Sequence, residues 1–325
     1  MKIAINGFGR IGRMTLRALQ NKPGVEVVAV NDLTDIKTLT HLLKYDTAHG
    51  RFPGEVTAEG DTIIVNGKKI LLLSERDPEK LPWKDLGIDV VIESTGRFTD
   101  KAAATSHITA GAKKVLITAP ASGGIKTIVH GVNNELIADD LIYSTASCTT
   151  GAIAPALYIL DKEFGIESGY MVTVHAFTAD QNLQDAPHKD LRRARAASYS
   201  IIPTTTGAAK AIGDVLPNLK GKLDGYSYRV PVIDASIVDL SINLKKEVSV
   251  AELNDLFKHY AENSLKGILE YTEEPLVSSD ILGNTHSSIL DGSLTKTLGK
   301  LVKVVAWYDN EVGISNRIAE LVSVL

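Results

Sequence analysis

A glycine-rich segment near the start of the chain constrains its fold more than any other feature. A short apolar run, residues 2–6, leads into Gly7-Phe8-Gly9-Arg10-Ile11-Gly12, and a helical pattern follows over residues 14–20. In a doubly wound α/β fold, the first glycine permits a tight turn and the second lets the backbone approach a pyrophosphate. The third lets the helix pack on the strand. The sequence therefore predicts a dinucleotide site at Gly7, Gly9 and Gly12, with the phosphates at the helix N-terminus.

The next predicted strand, residues 25–31, ends just before Asp32, which lies 32 − 12 = 20 residues beyond the last glycine. A carboxylate at this distance can bind a ribose 2′-hydroxyl and would repel a 2′-phosphate. Asp32 therefore favours NAD over NADP as the cofactor. The alternative is that Asp32 only caps the following helix, a common use of aspartate after a strand.

Predicted strands and helices continue to alternate up to residue 144, which indicates a parallel sheet with helices on both faces. Residues 55–73, around Asn66 and Gly67, predict a hairpin that leaves this sheet. After residue 148 the strands lengthen, and the runs at 170–178, 226–230, 236–244 and 302–308 indicate a mixed or antiparallel sheet. The predicted class is α/β, with a Rossmann-type doubly wound parallel sheet followed by an α+β catalytic domain.

Composition excludes several classes of function. With 325 residues and a net charge of −4, the chain gives no reason to expect a nucleic-acid or membrane partner. Its single cysteine excludes an intrachain disulfide and fits a reducing compartment. No signal-peptide pattern and no apolar run of membrane-spanning length is present, so we expect a cytoplasmic protein. We expect no bound metal.

The single cysteine, Cys148, lies where an extended run, residues 141–144, gives way to a helical one, residues 152–164. Free backbone N–H groups and the positive end of the helix dipole favour a thiolate there, and hence a nucleophile. The alternative is a small apolar side chain packed in a core. The neighbouring Ser147 and Thr149 hydroxyls suit a polar pocket that accepts anions better than an apolar one.

His175 lies 175 − 148 = 27 residues beyond the cysteine, in a predicted strand. An imidazole can activate a thiol and then act as acid or base, although a lone histidine in a strand is often structural. Beside a dinucleotide, a thiolate that attacks an aldehyde gives a hemithioacetal, and loss of hydride then gives a thioester. Water, phosphate or coenzyme A could resolve that thioester.

The residues after His175 favour phosphate, because they offer hydroxyl, guanidinium and helix-start N–H donors. These candidate anion ligands are Thr178, Arg195, Thr206, Gly207 and Arg229. Arg229 lies within an apolar strand, where an unpaired charge would be costly, so it needs an anion. For Arg192 and Arg193 we prefer a solvated face or a subunit contact.

Over essentially its whole length the sequence resembles the phosphorylating glyceraldehyde-3-phosphate dehydrogenases. Seven motifs carry the resemblance, and their combination is far more specific than any one of them. They are residues 3–13, Ala146-Ser147-Cys148-Thr149-Thr150, Val174-His175-Ala176 with Thr178, residues 191–197, Thr206-Gly207-Ala208-Ala209-Lys210, Arg229-Val230-Pro231, and residues 308–311 with 315–317.

The resemblance implies that Cys148 is the nucleophile and His175 the base that also stabilises the oxyanion. It assigns the phosphate of glyceraldehyde 3-phosphate to Thr178, Arg195 and Arg229, and inorganic phosphate to Ser147, Thr149, Thr206 and Gly207. It assigns NAD to Arg10, Ile11, Asp32, Arg76, Thr118 and Asn316, with Asn316 on the nicotinamide carboxamide. It also implies a homotetramer in which loop 180–203 packs against a neighbour's cofactor site. The implied domains are 1–147 joined by helix 313–325, and 148–312.

Three positions depart from the family pattern close to the chemistry. The family usually has Asn, Asn and Tyr where this chain has Thr145, Gly151 and Ile314. The loss of two amides and one aromatic ring bears on the affinity for the cofactor and on the geometry of the bound nucleotide. The nearest rival is erythrose-4-phosphate dehydrogenase, in which water resolves the thioester, but its family usually departs from the 206–210 motif. A non-catalytic binding role is the rival from another class, and no basic tail or aromatic-basic stripe supports it.

Overall fold

A computed structural model describes residues 1–20 and 22–325, which divide into two compact units. Unit 1 comprises residues 1–130, 134–146 and 315–325, and unit 2 comprises residues 131–133 and 147–314. Each unit contains one large sheet. Among the described residues, no helix has both the length and the apolar character needed to cross a membrane.

Unit 1 is built on a nine-stranded sheet with the order β3-β4-β5-β2-β1-β6-β7-β9-β8. Its strands are β1 (Lys2–Asn6), β2 (Glu26–Asn31), β3 (Val56–Glu59), β4 (Thr62–Val65), β5 (Lys68–Leu73), β6 (Val90–Glu93), β7 (Lys114–Ile117), β8 (Lys126–Thr127) and β9 (Ile142–Ser144). Across the part of the sheet ordered β5-β2-β1-β6-β7-β9-β8, every neighbouring pair of strands is parallel. The central strand β1 buries Ile3, Ala4 and Ile5 completely, as expected when both faces of a parallel sheet are covered. The predicted doubly wound parallel sheet is confirmed.

Four helices lie between these strands in the chain. They are α1 (Arg10–Leu19), α2 (Ile36–Lys44), α3 (Trp83–Leu86) and α4 (Lys101–Thr109). Asp35 caps α2 and Asp100 caps α4, each by accepting a backbone N–H with its side chain. Helix α1 begins at Arg10, within the glycine segment, so Gly9 is its N-cap residue.

The predicted hairpin forms at Asn66 and Gly67, which both have positive φ, 51° and 78°, as a tight two-residue hairpin turn requires. However, its second strand, β5, pairs in parallel with β2, so the hairpin extends the sheet. The expectation that it leaves the sheet is therefore wrong. The reason is burial, because Leu71 and Leu73 of β5 pack against the unit 1 core.

Unit 2 has an eight-stranded sheet with the order β11-β12-β10-β13-β17-β15-β14, and β16 pairs with β17. Its strands are β10 (Ile166–Ala176), β11 (Ile202–Thr205), β12 (Leu223–Val230), β13 (Ser236–Leu244), β14 (Leu269–Thr272), β15 (Ser288–Asp291), β16 (Lys296–Leu298) and β17 (Leu301–Tyr308). The pairs β10–β12 and β14–β15 are parallel and the other described pairs are antiparallel. The predicted mixed sheet is confirmed, although β11, β14, β15 and β16 were not among the predicted strands.

The remaining helices are α5 (Cys148–Glu163), α6 (Ala208–Val215), α7 (Val250–Glu262) and α8 (Val312–Val322). Short 3₁₀ turns lie at Pro78–Lys80, Asn134–Leu136, Pro217–Leu219, Ser278–Ile281 and Gly292–Leu294. Helix α5 packs against the unit 2 sheet and against α6. Residues 152–154, 156 and 157 of α5 are completely buried, so the helix that begins at Cys148 is held firmly in the core.

Candidate active site

Cys148 is the first residue of α5, four residues earlier than the sequence pattern predicted. Ser147 is the N-cap residue, and its hydroxyl accepts a hydrogen bond from Thr150 N at 3.1 Å. Ala146, just before it, has φ 62°, a left-handed conformation that is unusual for a residue with a side chain. This turn places the cysteine at the helix N-terminus, as predicted.

His175 lies near the end of β10, with Nε2 at 3.5 Å from Cys148 Sγ. Its Nδ1 is 2.7 Å from the carbonyl oxygen of Ala176. Because a carbonyl oxygen can only accept, Nδ1 carries the proton and Nε2 presents its lone pair to the thiol. The predicted sulfur–imidazole pair is therefore formed, in the tautomer that a base needs.

Burial controls the protonation of this pair. Burial raises the pKa of the Cys148 thiol, and the opposing effects of Arg229 and of hydrogen bonds from Thr149 do not cancel it. Burial, assisted by the positive charge of Arg229, lowers the pKa of His175 to about 4. The low pKa leaves the imidazole of His175 neutral at pH 7 and able to accept a proton. A resting thiolate at this helix terminus stays a prediction, because burial opposes it whereas the charge of Arg229 and the hydrogen bonds from Thr149 favour it.

Arg229 of β12 lies directly opposite His175 of β10 in the parallel register, which explains its position beside the pair. Its Nη1 donates to Thr178 Oγ1 at 2.7 Å and to the Ala176 carbonyl at 3.2 Å. The Thr178 hydroxyl donates in turn to Asp180, which also accepts from Arg193. Thr178 and Arg229 are therefore brought together beside the sulfur–imidazole pair.

Two arginines of loop 180–203, the candidate Arg195 and its neighbour Arg193, have different surroundings. Arg195 pairs with Asp185 at 2.8 Å, and its side chain is 66% exposed. Arg193 is only 20% exposed, binds Asp180 through Nη1, and donates from Nε to Thr204 Oγ1 at 2.9 Å. Its charge contributes to lowering the pKa of His175. The sequence analysis assigned Arg195 to an anion and preferred a solvated face or a subunit contact for Arg193. In the structure it is Arg193 that joins Thr178, Asp180 and Arg229, and we call these four residues the anion cluster.

The remaining anion candidates lie at two helix starts. Ser147 Oγ is 2.9 Å from Thr150 Oγ1, and Thr149 Oγ1 is 3.0 Å from the hydroxyl of Tyr308. Thr206 and Gly207 come immediately before α6, where the Thr206 hydroxyl accepts from Ala208 N at 3.2 Å. Because α6 packs against α5, both helix starts belong to the same layer of unit 2.

Tyr308 was missed by the sequence reasoning. Its hydroxyl is 2.8 Å from Thr173 Oγ1 and contacts Thr149, and its ring meets that of His175 edge to face. The ring is 1% exposed, so its burial orients groups on both α5 and β10. The sequence analysis quoted residue 308 only as part of the 308–311 motif and assigned it no role, because a tyrosine at the end of an apolar strand does not distinguish such a role from core packing.

Unit 1 contains a cavity of about 390 Å³ at the carboxyl ends of its parallel strands. Its lining includes Asn6, Gly7, Gly9, Asp32, Arg76 and Thr95. Asp32 accepts hydrogen bonds from Phe8 N at 2.8 Å and Thr34 N at 2.9 Å, which fixes its carboxylate at the rim. A crevice at this edge is where open α/β sheets bind nucleotides.

The three glycines have the geometry that the fingerprint requires. Gly7 has φ 92°, and a Cβ there would lie 2.7 Å from Thr95 N. A Cβ on Gly12 would lie 2.2 Å from the Gly7 carbonyl oxygen, so helix and strand meet too closely for any side chain. A Cβ on Gly9, by contrast, would meet no atom within 4 Å. The space over Gly9 is open, which suits the close approach of a pyrophosphate.

Other predicted cofactor residues lie in unit 1 with contacts of their own. Arg10 forms a bidentate pair with Asp46. The Thr118 hydroxyl donates to the Glu93 carbonyl at 3.2 Å. Ile11 is a half-buried residue of the first turn of α1, and Asn316 is a half-buried residue of α8.

Residues 147–310 match the family model of the glyceraldehyde 3-phosphate dehydrogenase C-terminal domain, and residues 1–101 match that of its NAD binding domain. Glyceraldehyde-3-phosphate dehydrogenase of Geobacillus stearothermophilus is 56% identical, covering 99% of this chain and 97% of the relative. That of Mycobacterium avium is 56% identical, covering 100% and 98%. The chain belongs to the glyceraldehyde-3-phosphate dehydrogenase family.

As a member of the glyceraldehyde-3-phosphate dehydrogenase family, the protein is an NAD-dependent oxidoreductase. Its unit 1 offers what the dinucleotide needs: an open glycine, a helix N-terminus and a fixed carboxylate at Asp32. Family membership and local geometry thus agree on the cofactor.

The departures from the family pattern leave the catalytic pair in place. The hydroxyl and backbone N–H of Thr145 both donate to the Ile117 carbonyl, at 3.4 and 2.9 Å, so this side chain is turned back to its own sheet. Gly151 leaves open space, because a Cβ there would meet no atom within 4 Å. Ile314 is half buried in the first turn of α8.

We predict that Gly9→Ala and Gly12→Ala have opposite consequences. Gly12→Ala should lower the free energy of unfolding by about 2 kcal/mol, because its methyl group overlaps the Gly7 carbonyl. Gly9→Ala should leave stability nearly unchanged but weaken NAD binding, because its methyl group enters the open space. Denaturant unfolding and calorimetric titration with NAD measure the two effects. Equal NAD affinity in Gly9→Ala and wild type would contradict the assignment of that space.

We also predict a stability effect of His175 at acid pH. The folded-state pKa, about 4, lies below the ordinary value of 6.5, so the unfolded chain takes up the proton first. The contribution of His175 is complete above pH 6.5 and is lost as the pH falls toward 4. The difference between the two values corresponds to about 3 kcal/mol. Denaturant unfolding should therefore show a smaller loss between pH 7 and pH 4.5 in His175→Asn than in wild type, and parallel losses would refute it.

Proposed function

We propose that the protein catalyses the NAD-dependent oxidation of D-glyceraldehyde 3-phosphate with inorganic phosphate, which gives 1,3-bisphosphoglycerate in glycolysis or gluconeogenesis. The observation that carries this proposal is Cys148 Sγ at 3.5 Å from His175 Nε2, beside the anion cluster around Arg229. The family relatives of this chain carry the name of this enzyme. The proposal assigns their substrate to this chain.

The first step is attack by sulfur on the aldehyde carbon. His175 Nε2 removes the thiol proton as the S–C bond forms, so a costly buried thiolate never has to exist alone. The imidazolium then donates that proton to the oxygen of the former aldehyde, which completes a neutral hemithioacetal. Because the pKa of His175 is low, the imidazolium is a strong acid and gives up the proton readily.

The second step is oxidation of the hemithioacetal. NAD, when bound, supplies the acceptor for the hydride that leaves the carbon. His175 Nε2 takes the hydroxyl proton at the same time, so the C–O bond becomes a carbonyl and the product is a thioester on Cys148. The nearby Arg229 charge disfavours a lasting imidazolium, which promotes release of this proton afterwards.

The third step releases the acyl group. An oxygen of hydrogen phosphate attacks the thioester carbon and the C–S bond breaks, while the proton of the phosphate passes through His175 Nε2 to the departing Cys148 sulfur and restores the thiol. We assign the attacking phosphate to Ser147, Thr149, Thr206 and Gly207, which lie at the starts of α5 and α6. Two helix N-termini offer backbone N–H groups that favour an anion over water.

For the phosphate of the substrate we propose Thr178, Arg229 and Arg193, in place of the sequence-based choice of Arg195. The support is the chain of contacts from Arg229 through Thr178 and Asp180 to Arg193. Arg195 has its own partner, Asp185, on an exposed part of the loop. Two guanidinium groups held side by side suit a phosphate dianion.

For NAD we propose the unit 1 cavity, with Gly7, Gly9 and Gly12 at the pyrophosphate and Asp32 at the ribose. The other proposed contacts are Arg10, Ile11, Arg76, Thr118 and Asn316. Because the Arg10 guanidinium is paired with Asp46, its backbone N–H at the start of α1 is the group that we assign to the phosphates.

We further propose a cytoplasmic homotetramer whose domains are residues 1–147 with 313–325, and 148–312. Loop 180–203 supports the assembly, because several of its large apolar side chains are exposed, far beyond what a monomer needs. They are Leu183, Leu191, Tyr199 and Ile201, which are 65 to 88% exposed. Sedimentation equilibrium should give a particle of four chains.

The decisive assay is the initial rate with glyceraldehyde 3-phosphate, NAD and phosphate or arsenate, repeated with erythrose 4-phosphate and with phosphate omitted. We expect phosphate-dependent NADH formation with the triose. Cys148→Ser should abolish it while leaving the far-ultraviolet circular dichroism and NAD binding unchanged. Strong oxidation of the tetrose without phosphate would replace the proposal by the rival dehydrogenase, and turnover by Cys148→Ser would remove the nucleophile.

The two arginines provide a matched pair. Arg193→Ala should raise KM for glyceraldehyde 3-phosphate about tenfold or more, because it removes a charged hydrogen-bond donor of the cluster. Arg195→Ala should change KM less than twofold, since it loses only an exposed ion pair. Steady-state kinetics at saturating NAD and phosphate measures both. The reverse order of effects would restore Arg195 as the ligand.

A further inference from the structure

A buried carboxylate lies behind the dinucleotide cavity without lining it. Glu93 is the last residue of β6 and is 1% exposed. Its Oε2 accepts from Asn6 Nδ2 at 2.6 Å and from His107 Nε2 at 3.0 Å. Its Oε1 accepts from the hydroxyl and from the backbone N–H of Thr95, the latter at 2.8 Å. Each carboxylate oxygen thus holds two donors.

The histidine in this network is held in one neutral form. Trp83 Nε1, which can only donate, is 3.0 Å from His107 Nδ1. Nδ1 must therefore be unprotonated, and the single ring proton is on Nε2, which donates it to Glu93. His107 is completely buried, so no solvent competes for either nitrogen.

The charge of Glu93 is consequently held by neutral donors alone. Placing a charge in a protein interior is costly unless its hydrogen bonds are complete, and a well-packed apolar group would often stabilise the fold more. What a fully satisfied network of this kind does provide is rigidity, because it holds the side chains around it in one conformation. The residues that are bonded to Glu93 are therefore the ones whose orientation it fixes.

Those neighbours form one wall of the cavity. Asn6 and Thr95, held by opposite oxygens of Glu93, both line it. Asn6 Oδ1 accepts from Asn31 Nδ2 at 2.7 Å, and Asn31 exchanges hydrogen bonds with the backbone of Glu75 at 2.8 and 2.9 Å. Asn31 and Glu75 also line the cavity. The orientation of four lining residues thus depends on the Glu93 carboxylate, either directly or through Asn6.

We propose that Glu93 and His107 are positioning residues for the dinucleotide: they fix Asn6 and Thr95 in the orientation that binds NAD, without touching it. The inference rests on the assignment of this cavity to NAD. In Glu93→Gln, an amide N–H must face the donors at Asn6 and His107 or those at Thr95, so one side of the wall is released. The substrate and phosphate sites belong to unit 2 and keep their contacts.

The test is calorimetric titration of NAD into the purified full-length protein. Glu93→Gln should raise the NAD Kd about tenfold, the size expected when a charged hydrogen bond is lost. His107→Leu, which removes donor and acceptor together, should do the same. His107→Gln keeps one N–H for Glu93 and one oxygen for Trp83 Nε1, so it should restore an affinity within about twofold of wild type.

A control separates positioning from general loss of stability. Ile117→Val removes a buried methyl group from β7 in the same sheet, away from the cavity lining. It should lower the thermal midpoint without changing the NAD Kd. The inference is overturned if Glu93→Gln and His107→Leu bind NAD as well as Ile117→Val does, or if His107→Gln is as weak as His107→Leu.

The wild-type titration distinguishes failure of the inference from failure of the proposed function. No NAD binding by wild type would overturn the cavity assignment, and the inference with it. Normal binding by wild type and by Glu93→Gln would overturn the inference alone. If Glu93→Gln does not fold, the two His107 variants still decide, because the predicted difference between them depends only on the contacts to Glu93 and Trp83.

Discussion

The contact between Cys148 and His175 is the interaction on which the proposed chemistry depends. In water an imidazole takes up a proton near neutral pH, whereas here burial lowers the pKa of His175 to about 4 and raises the pKa of the Cys148 thiol. Sulfur and nitrogen are fixed in mutual contact by the start of α5 and the end of β10. Proton transfer is thereby coupled to bond formation at the carbonyl carbon. A pocket of this kind spends little reorganisation energy when the reaction begins.

Much of the fold could be predicted from local patterns in the sequence. The glycine segment specifies its turn, because only glycine tolerates φ 92° at Gly7 and the 2.2 Å approach at Gly12. The positions of Cys148 at a helix start and of His175 in a long strand were also predicted from the sequence, and the structure brings their side chains into contact. Strands with clear apolar patterns, such as Ser236–Leu244, were bounded correctly.

What the sequence left undetermined depends on long-range contacts. Arg193 and Arg195 differ by two positions, and only the fold of the loop shows that Arg193 meets Asp180 while Arg195 meets Asp185. The pKa of Cys148 depends on the groups packed around it, including Arg229 of a distant strand, and no local pattern encodes them. The hairpin after Asn66 joins the sheet because Leu71 packs on a core assembled from several strands. In each case a distant partner decides between two locally reasonable outcomes.

Asp180 sets the net charge of the anion cluster before any substrate is bound. Burial alone would raise its pKa, but the Thr178 hydrogen bond and the charges of Arg229 and Arg193 lower it, so it stays ionised. The trio carries two positive charges and one negative, a balance of 2 − 1 = +1. The internal counter-ion keeps the two guanidinium groups from repelling each other apart before an anion arrives. In the proposed function, the same counter-ion moderates the attraction, so that the product is not held too tightly by excess positive charge.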